Sequence, residues 1–138
     1  MTHSNENELL DRIAIADLIN RLGACLDEHR FHDITALIAE DATASTPGGT
    51  AEGRSAVIAQ ATRNHEHYAR IQHLITNLLI DLDGDRASAR ANLQGSFVDA
   101  EGNLALELGA VYRFRARRTS DGWRLARIEV TPVWRRAA

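Results

Sequence analysis

The chain is predicted to adopt an α+β fold. Two features carry this: three helix-patterned segments occupy its first half, and four strand-patterned runs separated by Asp/Gly/Asn turns occupy the second. Helices followed by strands joined through tight turns imply three helices packed on one face of an antiparallel four-strand meander. With 138 residues, 44% apolar and 25% charged, one domain can bury its own core, and residues 1–138 are assigned to it.

The first helix is expected from Asn5 to about Asp27. Asn5 and Glu8 have the spacing of a capping box, and Leu9, Leu10, Ile13, Leu18, Ile19, Leu22, Cys25 and Leu26 recur every three or four residues. So broad a stripe should be covered on more than one side. A short second helix fits Asp33 to Glu40, with Asp33 as cap and Ile34, Leu37 and Ile38 inward. "STPGGTAEG", Ser45 to Gly53, reads as a loop. A third helix is expected from near Ser55 through Val57, Ile58 and Ala61 towards Tyr68.

The meander comprises Gln72–Leu82, Ala87–Val98, Leu104–Arg117 and Trp123–Trp134. If Asp83-Gly84 is a two-residue turn, Leu82 faces Asp85, Leu78 faces Ala89 and Leu74 faces Leu93. That register sets His73, Ile75, Asn77 and Leu79 opposite Gln94, Asn92, Arg90 and Ser88. A one-residue slip would invert the assignment. In this register His73 shares a mixed apolar and amide face, with Asn77 and Asn92 as candidate ligand-binding groups. By residue type alone, His73 is equally a strand-start histidine bonded to backbone or an acid/base in a pocket.

Composition excludes several function classes. All sixteen basic residues are arginine and the net charge is −3; the alternating Arg113, Arg115 and Arg117 read as a solvent face, so nucleic-acid binding is not expected. No apolar run approaches the roughly 18–20 residues needed to cross a bilayer. The opening "MTHSNENELL" lacks the blocks of a signal peptide, and a cytoplasmic location is expected. The single cysteine, Cys25, sits in an apolar helical run and is read as a buried thiol. His65 and His67, two apart on a helix, point about 200° away from each other and cannot share an ion, so no metal site is expected.

Four stretches resemble, in order, a SnoaL-like domain of the nuclear-transport-factor-2-like superfamily: "IADLINRLGACLDEHRFHDITALIAEDA", "EGRSAVIA", "QHLITNLLIDLDGDRASARANL" and "DGWRLARIEVTPVW". The resemblance covers about residues 8 to 134. It implies a cone-shaped α+β barrel, a curved sheet wrapped on the N-terminal helices with a pocket at its open end. The branch it resembles contains scytalone and bile-acid dehydratases, with polyketide cyclases and steroid isomerases as relatives; fold alone does not choose among them.

Two residues match the dehydratase pattern. Asp27 in "CLDEHRF" matches the aspartate ending the first helix, and His73 in "QHLITN" matches the histidine beginning the strand. The resemblance implies a hydrogen-bonded pair with the histidine as base or acid. An anion at a helix C-terminus is mildly disfavoured by the helix dipole, which independently asks for a partner at Asp27. Many members carry tyrosine where this chain has Gly23. Polarising a substrate carbonyl then falls to Tyr68 or Tyr112, the remaining tyrosines, or the reaction needs no such donor.

A carboxylate-held imidazole can remove a proton beside a carbonyl and return it to a departing hydroxyl. The expected activity is therefore a cofactor-independent lyase or isomerase acting on a small hydrophobic cyclic or polyketide-like molecule. His73 and Asp27 would be catalytic, and Tyr68, Asn77, Asn92, Tyr112, Trp134 and His29 would line the pocket. The alternative is a non-catalytic ligand-binding or accessory subunit, which Gly23 favours. A homodimer or trimer is expected, because one face of the hairpin needs a cover.

Overall fold

The computed structural model describes residues 2–137. Helix α1 spans Thr2–Asp27, and after a 3₁₀ segment at Phe31–Ala36 come strands β1 (Ile38–Thr46) and β2 (Gly49–Glu52). Helix α2 (Arg54–His65) precedes β3 (Arg70–Asp83), β4 (Arg86–Val98), β5 (Leu104–Thr119) and β6 (Gly122–Ala137). The six strands form one sheet in the order β2-β1-β6-β5-β4-β3. The meander of β3 to β6 matches the expected one; α1 packs against its inner face, and α2 packs on β1 and β2.

Five expectations are corrected. The second helix is only the 3₁₀ segment, because Ile38–Thr46 is drawn out as β1, parallel to β6 with Ala44 opposite Ile128. The Ser45–Gly53 loop is largely a hairpin: Thr46 pairs with Gly49 around Pro47-Gly48, and β2 caps the sheet edge. Short, alanine-rich β1 acquires its strand identity from its neighbour in the sheet rather than from its own pattern. Helix α1 begins ahead of Asn5, which is therefore not its cap, and α2 stops at His65. Finally, Leu9, Leu10 and Ile13 are exposed, so only the later part of the α1 stripe is covered.

That covered part supplies the core. Ile15, Leu18, Ile19, Leu22, Cys25 and Leu26 are buried against Ala87, Ala89 and Ala91 of β4 and Ala110 and Ala116 of β5. Small residues on the sheet make room for a helix carrying large ones. Polar ties hold the other end of α1: Trp123 Nε1 donates to Asp11 Oδ1 at 3.0 Å, and Arg118 bridges Asp11 and Asp85 at 2.9 and 2.8 Å. The Arg118 guanidinium also sits 4.8 Å from the Trp123 ring.

The β3–β4 register departs from the two-residue Asp83-Gly84 turn. Asp83 pairs with Arg86 and Leu82 with Ala87, so the turn is Gly84-Asp85, with Gly84 at φ +61°. A bulge follows, for Thr76 pairs with Asn92 but Leu79 with Arg90, leaving Asn77 and Leu78 opposite Ala91 alone. Asn77 has φ +54°, a left-handed conformation that asparagine tolerates better than most side chains. The bulge reverses the in–out alternation. Leu78, Ile80 and Leu82 therefore pack on the core, and on the other side of the bulge so do His73 and Ile75.

Candidate active site

Helix α1 ends in a way that aims Asp27 at β3. His29 takes φ +55°, while Arg30 N–H donates to the Cys25 carbonyl at 2.8 Å and His29 N–H to Leu26 at 3.3 Å. This paired closure is a Schellman motif with histidine in the position usually held by glycine. Gly23, one turn earlier, lies against β3: a Cβ there would stand 3.0 Å from Ile75 Cδ1 and 4.0 Å from His73 Cβ. The missing side chain lets helix and strand approach closely.

Across that approach the Asp27 carboxylate holds His73 at two points. Oδ1 lies 2.5 Å from His73 Nδ1, and the backbone N–H of His73 donates to Oδ1 and Oδ2 at 3.0 and 3.1 Å. The His73 side chain is 2% exposed and that of Asp27 24%. A carboxylate on Nδ1 leaves Nε2 as the ring nitrogen free to act. His73 lines a cavity of ≈ 470 Å³, within the range for small-molecule sites. Its walls include Leu93, Phe97, Leu106, Leu108 and Val130, and its rim the Pro47-Gly48 turn.

Phe97 organises the aromatic side of this cavity. Its ring lies edge-on to His73 at 5.8 Å between centroids, 4.9 Å from Tyr68 and 5.9 Å from His65. Gly95, opposite His73 on β4, leaves the space the ring fills; a Cβ there would stand 2.9 Å from the Phe97 ring. His65 stands 5.6 Å from His73, ring to ring, and its Nδ1 donates to the Ala61 carbonyl at 2.7 Å. Burial pulls the His65 pKa down to about 4 against the opposing effect of that hydrogen bond, so the ring is neutral and Nε2 is an acceptor. Burial, assisted by the negative charge of Asp27, pushes the Tyr112 phenol above its usual range, and it remains a proton donor.

Of the residues singled out in the sequence, His73, Tyr68 and Tyr112 line this cavity, with Asp27 behind His73. Asn77, Asn92, Trp134 and His29 do not. The bulge takes Asn77 out of alternation and leaves it exposed. Asn92 and Trp134 lie on the outer face with Leu74, Thr76 and Val133, where the Trp134 indole covers Gly109, its partner across the ladder. His29 is exposed and stacks on Phe31 at 5.4 Å, turned aside by the left-handed helix end. His73 accordingly faces an apolar wall, not the amide face expected.

Several cavity residues escaped the sequence reading. The sequence pairs His65 with His67 on one helix, whereas His67 lies beyond the end of α2 and both line the cavity. Phe97, Arg63 and Arg135 also line the cavity. The Gly95-x-Phe97 pair was a usable signal, since a strand glycine often marks a close approach.

Solved structures share this architecture. An NTF2-like protein with a cystatin-like fold from Novosphingobium aromaticivorans superposes with a TM-score of 0.86 at 26% identity, covering 96% of this chain and 88% of the other. A candidate scytalone dehydratase from the same organism gives 0.86 at 21% identity, over 100% and 92%. The hexachlorocyclohexane dehydrochlorinase LinA-type3 of Novosphingobium barchaimii gives 0.86 at 19%, over 97% and 94%. In sequence, uncharacterized proteins of Mycobacterium bovis and Mycobacterium tuberculosis are 31% identical over 126 residues, covering 87% of this chain and 84% of theirs. The SnoaL-like domain model matches residues 7–129, and with it the chain belongs to the SnoaL-like domain family.

Proposed function

We propose that the protein is a lyase or isomerase of the dehydratase or cyclase type, acting on a small hydrophobic cyclic or polyketide-like molecule. One observation carries the reading: a buried imidazole, held by a carboxylate at Nδ1, presents its other nitrogen to an apolar cavity. In the elimination, His73 Nε2 takes the proton beside a carbonyl, and the C–H electron pair becomes the new C=C bond. The leaving hydroxyl departs with its bonding pair, accepts the proton from the imidazolium and leaves as water. Asp27 holds the tautomer and stabilises the imidazolium. Tyr112, protonated by its surroundings, is the donor we assign to the substrate carbonyl in place of the residue absent at Gly23. Neutral His65 would accept a hydrogen bond from a substrate hydroxyl. No step calls for a cofactor. That structural neighbours include a dehydrochlorinase and a candidate dehydratase, both names for eliminations, agrees with this chemistry.

A nitrobenzisoxazole tests the base directly, because its ring opens when a C–H proton is removed and the product is coloured. Wild-type protein should accelerate the opening and His73→Ala should not. Equal rates in the two proteins would remove His73 as the base.

A ligand-binding protein without turnover is the second reading, supported by Gly23, which offers no side chain to the substrate at the helix position facing His73. Tight binding without proton removal would favour it. We also propose a homodimer, with a trimer as the alternative, because Leu74, Leu79, Val133 and Trp134 leave an apolar outer face exposed.

A further inference from the structure

The charged side chains lining the His73 cavity are of one sign. Among the described residues no Asp or Glu lines it, while Arg63 of α2 and Arg135 of β6 do. Asp27 does not offset them, because its carboxylate stands behind the His73 ring and faces a different depression. Nor are they spent in ion pairs with described residues, unlike neighbouring arginines: Arg136 pairs with Glu107 and Arg127 with Glu129. Arg135 lies opposite Leu108 and Arg63 two residues before His65, so each cation adjoins a wall of the cavity. The interior is apolar from Leu93 to Val130. Two guanidiniums from two different elements border the same apolar cavity, and each presents the planar donor set that oxyanions take.

We propose that the cavity takes an amphiphilic ligand whose apolar body enters towards His73 and whose anionic group, a carboxylate or a phosphate, is held by Arg63 and Arg135. This rests on the reading of the cavity as the substrate site of His73 and adds the class of substrate. Anchoring the anion away from the dyad orients the reacting carbon and keeps the charge off the imidazole.

Titration calorimetry of the full chain with naphthoate, naphthyl phosphate and neutral naphthamide tests it. At least one anion should bind about tenfold or more tighter than the amide, as charge-assisted hydrogen bonds give. The preference should shrink with added salt. The anion that gains more identifies the headgroup. In the double variant Arg63→Gln/Arg135→Gln the preference should fall to near unity, and in His73→Asn it should persist. Three results would overturn the proposal: no preference in the wild type, a preference that survives the double variant, or one lost in His73→Asn, which would seat the anion on the imidazole. Loss of the anion preference with nitrobenzisoxazole turnover intact removes this proposal alone. If no probe binds and no turnover occurs, the substrate-site reading falls with it.

Discussion

Asp27 and His73 stand 46 positions apart in the chain, yet one carboxylate satisfies both the Nδ1 and the backbone N–H of that histidine, at 2.5 Å and 3.0 Å. The double hold fixes the ring and the strand start together. Asp27→Asn would still accept from the backbone N–H, but its amide can turn an N–H towards Nδ1 and force the proton onto Nε2. Nitrobenzisoxazole opening should therefore fall by about 10²–10⁴-fold in Asp27→Asn and in His73→Ala alike. The double variant should be little worse than either, as for residues acting as a unit. Additive losses in the rate assay would show that the two act separately.

His65 predicts an acid-side loss of stability. Its folded pKa is depressed to about 4 from the ordinary 6.5, so the unfolded chain binds the extra proton. Stability is then complete above pH 6.5, declines as pH falls towards 4, and levels off below. For a shift of this size the difference is on the order of 3 kcal/mol. Urea unfolding of wild type and His65→Gln across this window should show the wild-type advantage shrinking as pH drops. A pH-independent difference between the two would exclude a buried neutral His65.

Two glycines should respond oppositely to alanine. At Gly95 the new methyl meets the Phe97 ring at 2.9 and 3.2 Å, with His73 Cδ2 at 3.9 Å. Displacing a packed ring should cost about 1–3 kcal/mol and disturb the cavity wall. At Gly23 the methyl meets the flexible end of Ile75 at 3.0 Å, with His73 Cβ at 4.0 Å, and the helix gains about 1 kcal/mol of propensity. Gly23→Ala should stay within about 1 kcal/mol of wild type. Chemical denaturation of both variants reads the contrast directly.

Asn77 at φ +54° should accept glycine and resist branched residues. Asn77→Val is expected to cost about 1–2 kcal/mol, whereas Asn77→Gly stays near wild type. Deleting Asn77 removes the bulge and turns Leu78, Ile80 and Leu82 outwards relative to His73, so that variant should fail to fold cooperatively in a thermal melt.

The outer face bears on association. Leu74, Val133 and Trp134 are 53%, 68% and 43% exposed on one side of the sheet. Sedimentation should give a dimer or trimer for the wild type and a monomer for Leu74→Glu/Val133→Glu. A wild type that sediments as a monomer, or a variant that assembles unchanged, would remove this face as the interface.

What the sequence by itself determined is local. Short-range signals sufficed for the buried half of α1, the turns Asp99–Asn103 and Thr119–Gly122, and the four-strand meander, because periodicity and turn chemistry act over a few residues. The candidate pair entered through resemblance, since no spacing rule connects residue 27 to residue 73. Tertiary structure alone decided the rest. Strand β1 exists because β6 offers it a parallel ladder, and one left-handed residue, Asn77, reversed which side of β3 met the core. That reversal set His73 on the side of Phe97 and Leu93, opposite to Asn92, while a separate register shift at Val133 of β6 turned Trp134 outside. A period-two pattern carries no record of an extra residue in one strand of a pair; the partner strand's register shows it.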